Sequence, residues 1–381
     1  MALMDEVEQF CQELRPIEDL CYLERKFNDQ VLPLAKKHNL LALPVEKRYG
    51  GQQLDSLTLS KVMMRLAREG AGIRTFFSVH SELGQRPIQK FGSEHLKKRY
   101  LLPSVKGDCI LAFALTEPEA GSDPLAMQAS FKETPNGYVL NGVKYLISNS
   151  GIAHAIIVFA KGPSGKVSAF VIDTDKPGFL NEDLHAKMGM YTTNTGMFEL
   201  QDYLVPKENV LGKLDDGWSI AKYALMGGRL SVAAGAVGVM EDSLEEAVRF
   251  AKERIQHKKP IAKHQLIQEH IAAIKLHIES SRLMVERGAG LVDQYERAKT
   301  EEAFRAADNA VAEAKLFAAA AAWDACDRAV QILGGRGWSF LYRPGRHLVD
   351  TRVCRIYEGA EEVLKLKVAE SVLGREFSAF S

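Results

Sequence analysis

A carboxylate beside a glycine, near the end of the chain, is the strongest candidate for chemistry in this sequence. Glu358 and Gly359 follow an apolar and basic run that begins at Arg352. Gly359 can adopt backbone angles that other residues resist, so we expect Glu358 at a junction where a side chain can point into a cleft. A carboxylate in a dry cleft has a raised pKa and can remove a proton from a substrate. Taken alone, the stretch also fits a plain carboxylate at a helix start, where the helix dipole favours negative charge.

The composition is that of an ordinary globular protein and argues against several functions. Of 381 residues, 46% are apolar and 26% charged, with 49 basic and 49 acidic side chains. This balance gives no electrostatic case for binding nucleic acid or an acidic membrane. No apolar run approaches the roughly 20 residues that span a bilayer, and the acidic N-terminus does not resemble a signal or transit peptide. We therefore expect a cytoplasmic protein without a membrane span.

The cysteines and histidines predict neither a disulfide nor a metal site. The five cysteines are scattered, with no Cys-x-x-Cys pair: Cys11, Cys21, Cys109, Cys326 and Cys354. We expect buried or partly buried free thiols in a reducing compartment. His270 and His277 lie two helical turns apart, but no further His or Cys stands near them at metal-ligand spacing.

The chain up to about residue 105 has a helical pattern. Asp55 or Ser56 can cap a helix that Gly70 ends. The apolar face of this helix is formed by Leu59, Val62, Met63 and Leu66. Residues 93–100 predict a short helix with a solvated basic face.

From Cys109 the pattern changes to short strands separated by turns. Strand candidates rich in β-branched and aromatic residues are 110–115, 138–140, 143–147, 155–160 and 167–172, with a weaker one at 197–200. Asn136-Gly137 and Asn141-Gly142 are strong turn signals. The pattern predicts a small all-β domain of about 100 residues.

From Gly217 onward the chain returns to long helices. Two runs at heptad-like spacing predict packing faces of an antiparallel bundle: Ile267, Ile271, Ile274 and Ile278, then Val311, Ala314, Ala318, Ala321 and Ala325. After Gly359, an amphipathic helix is predicted from Val363, Leu364, Val368 and Val372. We place the domain boundaries at residues 1–108, 109–212 and 213–381.

Four segments in this order resemble those of the acyl-CoA dehydrogenase family. They are the polar loop 116–123, the segment 140–150, the glycine-containing segment 331–335 and the Tyr-Glu-Gly junction 357–359. The resemblance covers essentially the whole chain. It implies a mainly α fold with an N-terminal helical domain, a central antiparallel β-barrel or sandwich, and a C-terminal four-helix bundle. No Gly-x-Gly-x-x-Gly follows a strand, which argues against a Rossmann domain.

The resemblance implies α,β-dehydrogenation of an acyl thioester, from an acyl-CoA to a trans-2-enoyl-CoA. The reaction needs a base for the α-proton and an acceptor for the β-hydride. No side chain can accept a hydride, so a cofactor is required, and the family uses FAD.

The family's motif places the base at Glu358. Some relatives carry the base just before an arginine on a bundle helix, but here Gly228 precedes Arg229. Arg229 is then expected to orient the pocket, although a surface or interface arginine is the alternative. The resemblance adds Tyr357, Gly359 and Ser122 to the substrate-binding residues.

The resemblance also implies the residues that bind FAD. Leu115, Thr116 and Ser122 correspond to the loop that holds the flavin ring and the thioester arm, and Ser148 to a threonine near flavin N5. For Thr116 the alternative is a plain turn at a strand end.

Arg254 and Gln265 match a segment that reaches the FAD of a neighbouring subunit, and Gln331, Gly334 and Gly335 match a second one. A solvated helix position is the alternative for Gln265.

The chain departs from the family at several positions around the flavin and the base. Leu146 replaces a tryptophan, His257 replaces an aromatic residue, and Ala360 replaces a threonine. These changes leave room for an acyl group tethered to a carrier protein, or for an oxidase that passes electrons to oxygen. They also leave room for a non-catalytic scaffold.

The partners that the resemblance implies are an acyl-CoA or acyl-carrier-protein thioester and an electron-transferring flavoprotein or similar acceptor. A homodimer or homotetramer is expected.

Overall fold

The computed structural model describes residues 3–379, and its N-terminal part is helical. Asp55 caps the third helix as predicted, because its Oδ1 accepts a hydrogen bond from the Thr58 N–H at 2.7 Å. The predicted apolar face of this helix is buried. The helices are α1 (Leu3–Glu24), α2 (Val31–Lys37), α3 (Ser56–Ala67), α4 (Ala71–Ser78), α5 (Arg86–Phe91), α6 (Glu94–Leu96) and α7 (Leu102–Lys106).

Helices α4 and α5 are joined by a π-helical segment, Val79–Gln85, into one continuous rod. All residues of this segment are buried. Such π-helical turns are rare and occur often at functional sites, because they change which side chains face a neighbouring element. A second π-helical segment, Lys97–Leu101, follows α6, and Ser93 caps α6.

The middle part is a curled β-sheet, as predicted. Most pairings are antiparallel, but β4 pairs in parallel with both β1 and β2. The order is β1-β4-β2-β3-β7-β6, with β5 paired to β4. The strands are β1 (Leu111–Ala114), β2 (Ser130–Thr134), β3 (Gly137–Ser148), β4 (Ala155–Lys161), β5 (Val167–Asp173), β6 (Phe179–Asp183) and β7 (Thr195–Val205). The sequence analysis missed β2 and β6, which are short and largely exposed.

The turn predicted at Asn141-Gly142 is wrong, because both residues lie inside the continuous strand β3. The pairing of β3 with β7 shifts register there, which marks a bulge. The Asn141 side chain donates to Asp202 Oδ1 at 3.0 Å and accepts from the Asp202 N–H at 2.8 Å. Gly142 has a φ of 144° and lies so close to Ala129 that a side chain would collide with it. The residues that signalled a turn therefore build a bulge instead.

The C-terminal part is a bundle of three long helices with two shorter ones packed on α10. Its helices are α8 (Gly217–Glu253), α9 (Gln265–Ala298), α10 (Glu301–Leu333), α11 (Arg343–Thr351) and α12 (Glu361–Leu373). A small hairpin, β8 (Ile255–Gln256) and β9 (Lys259–Pro260), connects α8 to α9. The predicted face of α10 is buried, as are Ile274 and Ile278 on α9. The boundaries after residues 108 and 212 stay a prediction.

The amphipathic helix predicted after Gly359 is α12, but its apolar face is buried only in part. Leu364 is buried, Val363 and Val368 are half-buried, and Val372 is 81% exposed. Helix α12 lies on the outside of the bundle, so the apolar side chains of its last turn are exposed.

Helix α8 is long and apolar enough to cross a membrane, but 89% of its most apolar stretch is buried inside the protein. This pattern is that of a core helix. The five cysteines are free and buried, as predicted.

A buried ion pair fixes the loop that follows β1. The Lys144 ammonium donates to Glu117 Oε1 at 2.8 Å and to the Leu115 carbonyl at 3.1 Å. Glu117 also accepts hydrogen bonds from the backbone N–H groups of Gln128 and Ala129. Burial lowers the pKa of Lys144 to about 8, against the attraction of Glu117. The strand β3 thus holds the start of the polar loop 116–123.

Replacing Lys144 by methionine should lower the free energy of unfolding by about 3–5 kcal/mol, since Glu117 would remain buried without its cation. Denaturant unfolding measures this loss. The control is Lys207→Met, which breaks the exposed pair between Lys207 and Glu133 and should change stability little. Equal losses in the two variants would show that burial does not increase the contribution of the Lys144–Glu117 pair to the free energy of unfolding.

Candidate active site

Glu358 lies at a strained junction between a short 3-10 turn, Arg352–Arg355, and α12. Its φ is +56°, in the left-handed region that residues with a side chain seldom adopt. Its carboxylate oxygen Oε2 is buried and has no hydrogen-bond partner. Strain of this kind persists where the surroundings enforce it and is concentrated at functional sites.

The surroundings of Glu358 raise its pKa to about 7. Burial is the main cause, because it disfavours the ionised form. The nearby positive charges of Arg229, Arg74 and Lys315 act in the opposite direction, and the Glu82 carboxylate adds to the rise. The result is a carboxylate that is ready to exchange a proton near neutral pH.

Two cations hold the backbone of the junction and leave the Glu358 carboxylate free. Arg229 Nε donates to the Glu358 carbonyl at 2.9 Å, and Lys315 Nζ donates to the Gly359 carbonyl at 2.6 Å. Asp308 fixes Arg229 through a 3.0 Å bond from Nη1. Arg229 therefore contacts the predicted base, but through the backbone. The sequence analysis missed Lys315, whose signal was a single lysine in the alanine-rich buried face of α10.

Arg74 holds the side chain of Tyr357, the residue before Glu358. The Arg74 guanidinium is buried and donates to the Tyr357 hydroxyl and, at 2.9 Å, to the Thr75 hydroxyl. The Cys354 sulfur lies 3.4 Å from the Tyr357 oxygen on another side. The sequence analysis did not single out Arg74, although an arginine between Ile73 and two phenylalanines was a visible signal.

Gly228 provides the space that the Glu358 carboxylate fills. A Cβ atom at Gly228 would lie 2.4 Å from Glu358 Oε1. The glycine that precedes Arg229 thus lies directly against the Glu358 carboxylate.

The structure brings the predicted flavin segments together at one edge of the sheet. The Tyr145 N–H donates to the Thr116 carbonyl at 3.0 Å, and Lys144 binds the Leu115 carbonyl. This places Leu115 and Thr116 beside the strand that ends at Ser148. Ser122 is exposed in the loop that follows. The Asn149 side chain donates to the Phe76 carbonyl at 3.4 Å, so this edge meets α4, which also carries Arg74.

Several features of this edge fit a bound flavin. Leu146 has a φ of +58° at a second register shift of β3 and is 52% exposed, so the bulge presents it outward. Three buried polar atoms nearby have no partner: Asn149 Oδ1, Ser150 Oγ and Thr193 Oγ1. A ring with carbonyl and N–H groups would satisfy such atoms, whereas an apolar ligand would not.

The other predicted cofactor residues lie at the far end of the bundle. Arg254 ends α8, 25 residues from Arg229, which is about 38 Å along the helix axis. Gln265, Gln331, Gly334 and Gly335 are exposed in the same region, where the Arg336 guanidinium lies 5.4 Å from the Phe250 ring. These two segments are close to each other but do not reach Glu358 of their own chain.

Three family models match this chain in succession. They are those of the acyl-CoA dehydrogenase N-terminal domain (residues 1–108), middle domain (112–203) and C-terminal domain (215–373). The chain is 38% identical to the short-chain specific acyl-CoA dehydrogenase of Megasphaera elsdenii over 84% of this chain and 83% of that protein. It is 35% identical to an acyl-CoA dehydrogenase of Bacillus subtilis, covering 95% and 94%.

Solved structures share the fold over nearly the whole length. Butyryl-CoA dehydrogenase of Megasphaera elsdenii has a TM-score of 0.91 at 32% identity, covering 98% of this chain and 97% of that one. A glutaryl-CoA dehydrogenase of Mycobacterium smegmatis in complex with FADH2 has a TM-score of 0.89 at 26% identity, covering 100% and 95%. The prolyl acyl carrier protein oxidase AnaB has a TM-score of 0.90 at 28% identity, covering 98% and 99%.

Replacing Gly228 by alanine should lower the free energy of unfolding by about 1–3 kcal/mol, because the new methyl group would collide with the Glu358 carboxylate. The matched control is Gly290→Ala in α9, where nothing lies within 4 Å of the new Cβ. That variant should be about 0.5–1 kcal/mol more stable, from helix propensity alone. Thermal or denaturant unfolding tests both, and a stabilised Gly228→Ala would contradict the packing described for Glu358.

Proposed function

We propose that this chain, which belongs to the acyl-CoA dehydrogenase family, catalyses the α,β-dehydrogenation of an acyl thioester. Glu358 is the proposed base. The observation that supports it best is the Glu358 carboxylate, whose Oε2 is buried without a hydrogen-bond partner and whose pKa is raised to about 7. A base with a pKa near the working pH is both ionised often enough and basic enough to remove a weakly acidic proton.

FAD is the cofactor, and the enzyme is a flavin oxidoreductase that acts on CH-CH bonds. When bound, FAD supplies the hydride acceptor that no side chain can provide. Leu115, Thr116 and Ser122 would hold the flavin ring and the thioester arm, and the Ser148 hydroxyl would lie near the flavin nitrogen.

The roles of the surrounding residues follow from their contacts. Glu358 would take the α-proton, while Arg229 and Lys315 keep its backbone in place through the carbonyls of residues 358 and 359. The Glu358 N–H would bind the thioester carbonyl, where negative charge develops. Tyr357, held by Arg74, and Gly359 would complete the wall of the substrate site.

We infer that each cofactor site is completed by a second copy of the chain. Support comes from the distance between Arg229 and Arg254, which is about 38 Å along α8. This distance is too long for both residues of one chain to line the same site. Arg254 and Gln265 of a neighbouring copy, with Gln331, Gly334 and Gly335, would then contact the FAD bound beside Glu358. A homodimer, or a dimer of dimers, meets this requirement.

We propose a short acyl-CoA as the substrate. The similarity to a short-chain specific acyl-CoA dehydrogenase supports this proposal. The electron acceptor would be an electron-transferring flavoprotein or a similar carrier, and the enzyme would work in the cytoplasm.

The second candidate substrate is an acyl group on a carrier protein. Similarity to a prolyl acyl carrier protein oxidase favours it, and such an enzyme would pass electrons to oxygen.

Glu358→Gln should bind FAD normally and lose about 10²–10⁴-fold in the rate at which an acyl thioester bleaches the flavin without oxygen, because the amide cannot take the proton. Anaerobic stopped-flow absorbance at the flavin band measures the rate. Bleaching at the wild-type rate would move the base elsewhere, and a wild-type protein that cannot be loaded with FAD would support the scaffold alternative.

The rate of flavin reduction should rise as pH increases through about 7. The sign follows from the raised pKa of Glu358: below this value the carboxyl holds a proton and cannot accept another. The profile of the reduction rate between pH 5.5 and 9, roughly two units around the pKa, checks it. A flat profile in this range would show that Glu358 ionisation does not limit the step.

Arg254→Gln should weaken FAD binding by roughly tenfold to a hundredfold, through loss of a charged donor to the pyrophosphate. Titration of the apoprotein with FAD, followed by flavin fluorescence, measures this. Arg249→Gln is the matched control, since Arg249 is an exposed arginine near the same end of α8. Equal affinities in the two variants would remove Arg254 from the cofactor site.

A further inference from the structure

Four buried polar atoms without a hydrogen-bond partner lie around one stretch of α8. They are Arg74 Nε, Glu82 Oε1, Ser231 Oγ and Glu358 Oε2. The α8 residues Gly227, Ser231 and Gly235 are four apart and share one face. A Cβ at Gly235 would lie 3.0 Å from Arg74 Nε, and one at Gly227 would lie 2.1 Å from Glu82 Oε2. The rod of α4, the π-helical segment and α5 therefore runs antiparallel to α8, with Arg74 and Glu82 against it.

Glu82 also lies close to Glu358, because the two carboxylates pack against adjacent residues of α8. Its partner on α8 is Gly227, and the next residue, Gly228, contacts Glu358. Two adjacent glycines thus make room for two carboxylates, and the Glu82 charge raises the pKa of Glu358. Glu82 belongs to the π-helical segment Val79–Gln85 and is 3% exposed.

One oxygen of Glu82 is held and the other is free. Arg86 Nη1 donates to Glu82 Oε2 at 3.1 Å, and Arg86 Nη2 donates to Glu296 Oε1 at 2.8 Å. Lys90 donates to the other Glu296 oxygen at 3.3 Å. Only Glu82 Oε1 lacks a partner in this group.

A buried acceptor without a donor is costly, and a substrate can remove this cost. An unsubstituted alkyl chain beside Glu82 would leave Oε1 unpaired, whereas a hydroxyl or amino group would donate to it. A carboxylate on the acyl chain would meet like charge, because the two carboxylates of this group already balance Arg86 and Lys90. Sites built around a polar group discriminate strongly against ligands that leave it unpaired.

We propose that the preferred acyl group carries a hydroxyl or amino substituent beyond its β-carbon, and that this substituent donates a hydrogen bond to Glu82 Oε1. Glu82 is then the residue that sets specificity for a polar acyl thioester. The inference rests on the proposed function and names the substrate class of the same site.

Three thioesters on the phosphopantetheine arm, which CoA and carrier proteins share, test the inference. The 4-hydroxybutyryl and pentanoyl thioesters differ by a hydroxyl in place of a methyl group, and the glutaryl thioester presents a carboxylate. The quantity measured is the anaerobic rate of flavin reduction divided by the dissociation constant. For the wild type we expect the hydroxylated substrate to exceed the pentanoyl one by about tenfold to a hundredfold.

Glu82→Met should abolish this preference. The methionine side chain is close to glutamate in length but offers the hydroxyl neither an oxygen acceptor nor an N–H donor, so the two substrates should then be used within about twofold of each other. Glu296→Gln is the matched control, because it alters the same Arg86 network without touching Oε1, and it should keep the wild-type ratio. FAD content and melting temperature establish that both variants are folded.

The role of Glu82 and the proposed function fail in different ways. A wild-type preference for the pentanoyl or glutaryl thioester, or an unchanged ratio in Glu82→Met, would overturn the role of Glu82 and leave the dehydrogenase function intact. Failure of all three thioesters to bleach bound FAD would instead refute the proposed function, and with it the inference.

Discussion

The burial of one unpaired carboxylate is the constraint on which the rest of this structure depends. A buried carboxylate is normally bonded by a cation or by N–H groups. Around Glu358 the cations are present, but Arg229 and Lys315 bind the carbonyls of the junction. Their positive charge limits the rise in pKa while the oxygen atoms stay available. Gly228 completes the arrangement, because any side chain there would occupy the space of the carboxylate.

The three parts of the chain meet at α4, which explains how distant segments form one site. Phe76 accepts a bond from Asn149 at the end of β3, and Arg74 bonds Tyr357 in the C-terminal segment. The buried Lys144–Glu117 pair fixes the loop on the other side of β3. A short helix deep in the N-terminal part therefore sets the position of both the sheet edge and the junction that carries Glu358.

Much of this arrangement was predictable from sequence where local chemistry decides the outcome. The Asp55 cap and the alanine face of α10 follow from patterns within a few residues, and the ordered motifs predicted Glu358 and Arg229, which the structure brings into contact. The turn predicted at Asn141-Gly142 failed because Asp202, distant in sequence, pairs with Asn141 and converts the signal into a bulge. Arg74, Glu82 and Lys315 were missed for a related reason. Each lies on a helix that the sequence pattern predicts whether or not this residue is considered. Its contacts become visible only in the packing against α8 or the junction.

The left-handed backbone at Glu358 also bears on how this chain could be stabilised. At a φ of +56° glycine or asparagine would sit at lower conformational cost than glutamate. Replacement by either would relieve strain and remove a buried ionisable group. Both changes would favour the folded state, and both would delete the proposed base. Stability and the proposed activity are therefore opposed at this residue. Selection for thermal stability alone would favour replacement of Glu358 and loss of its carboxylate.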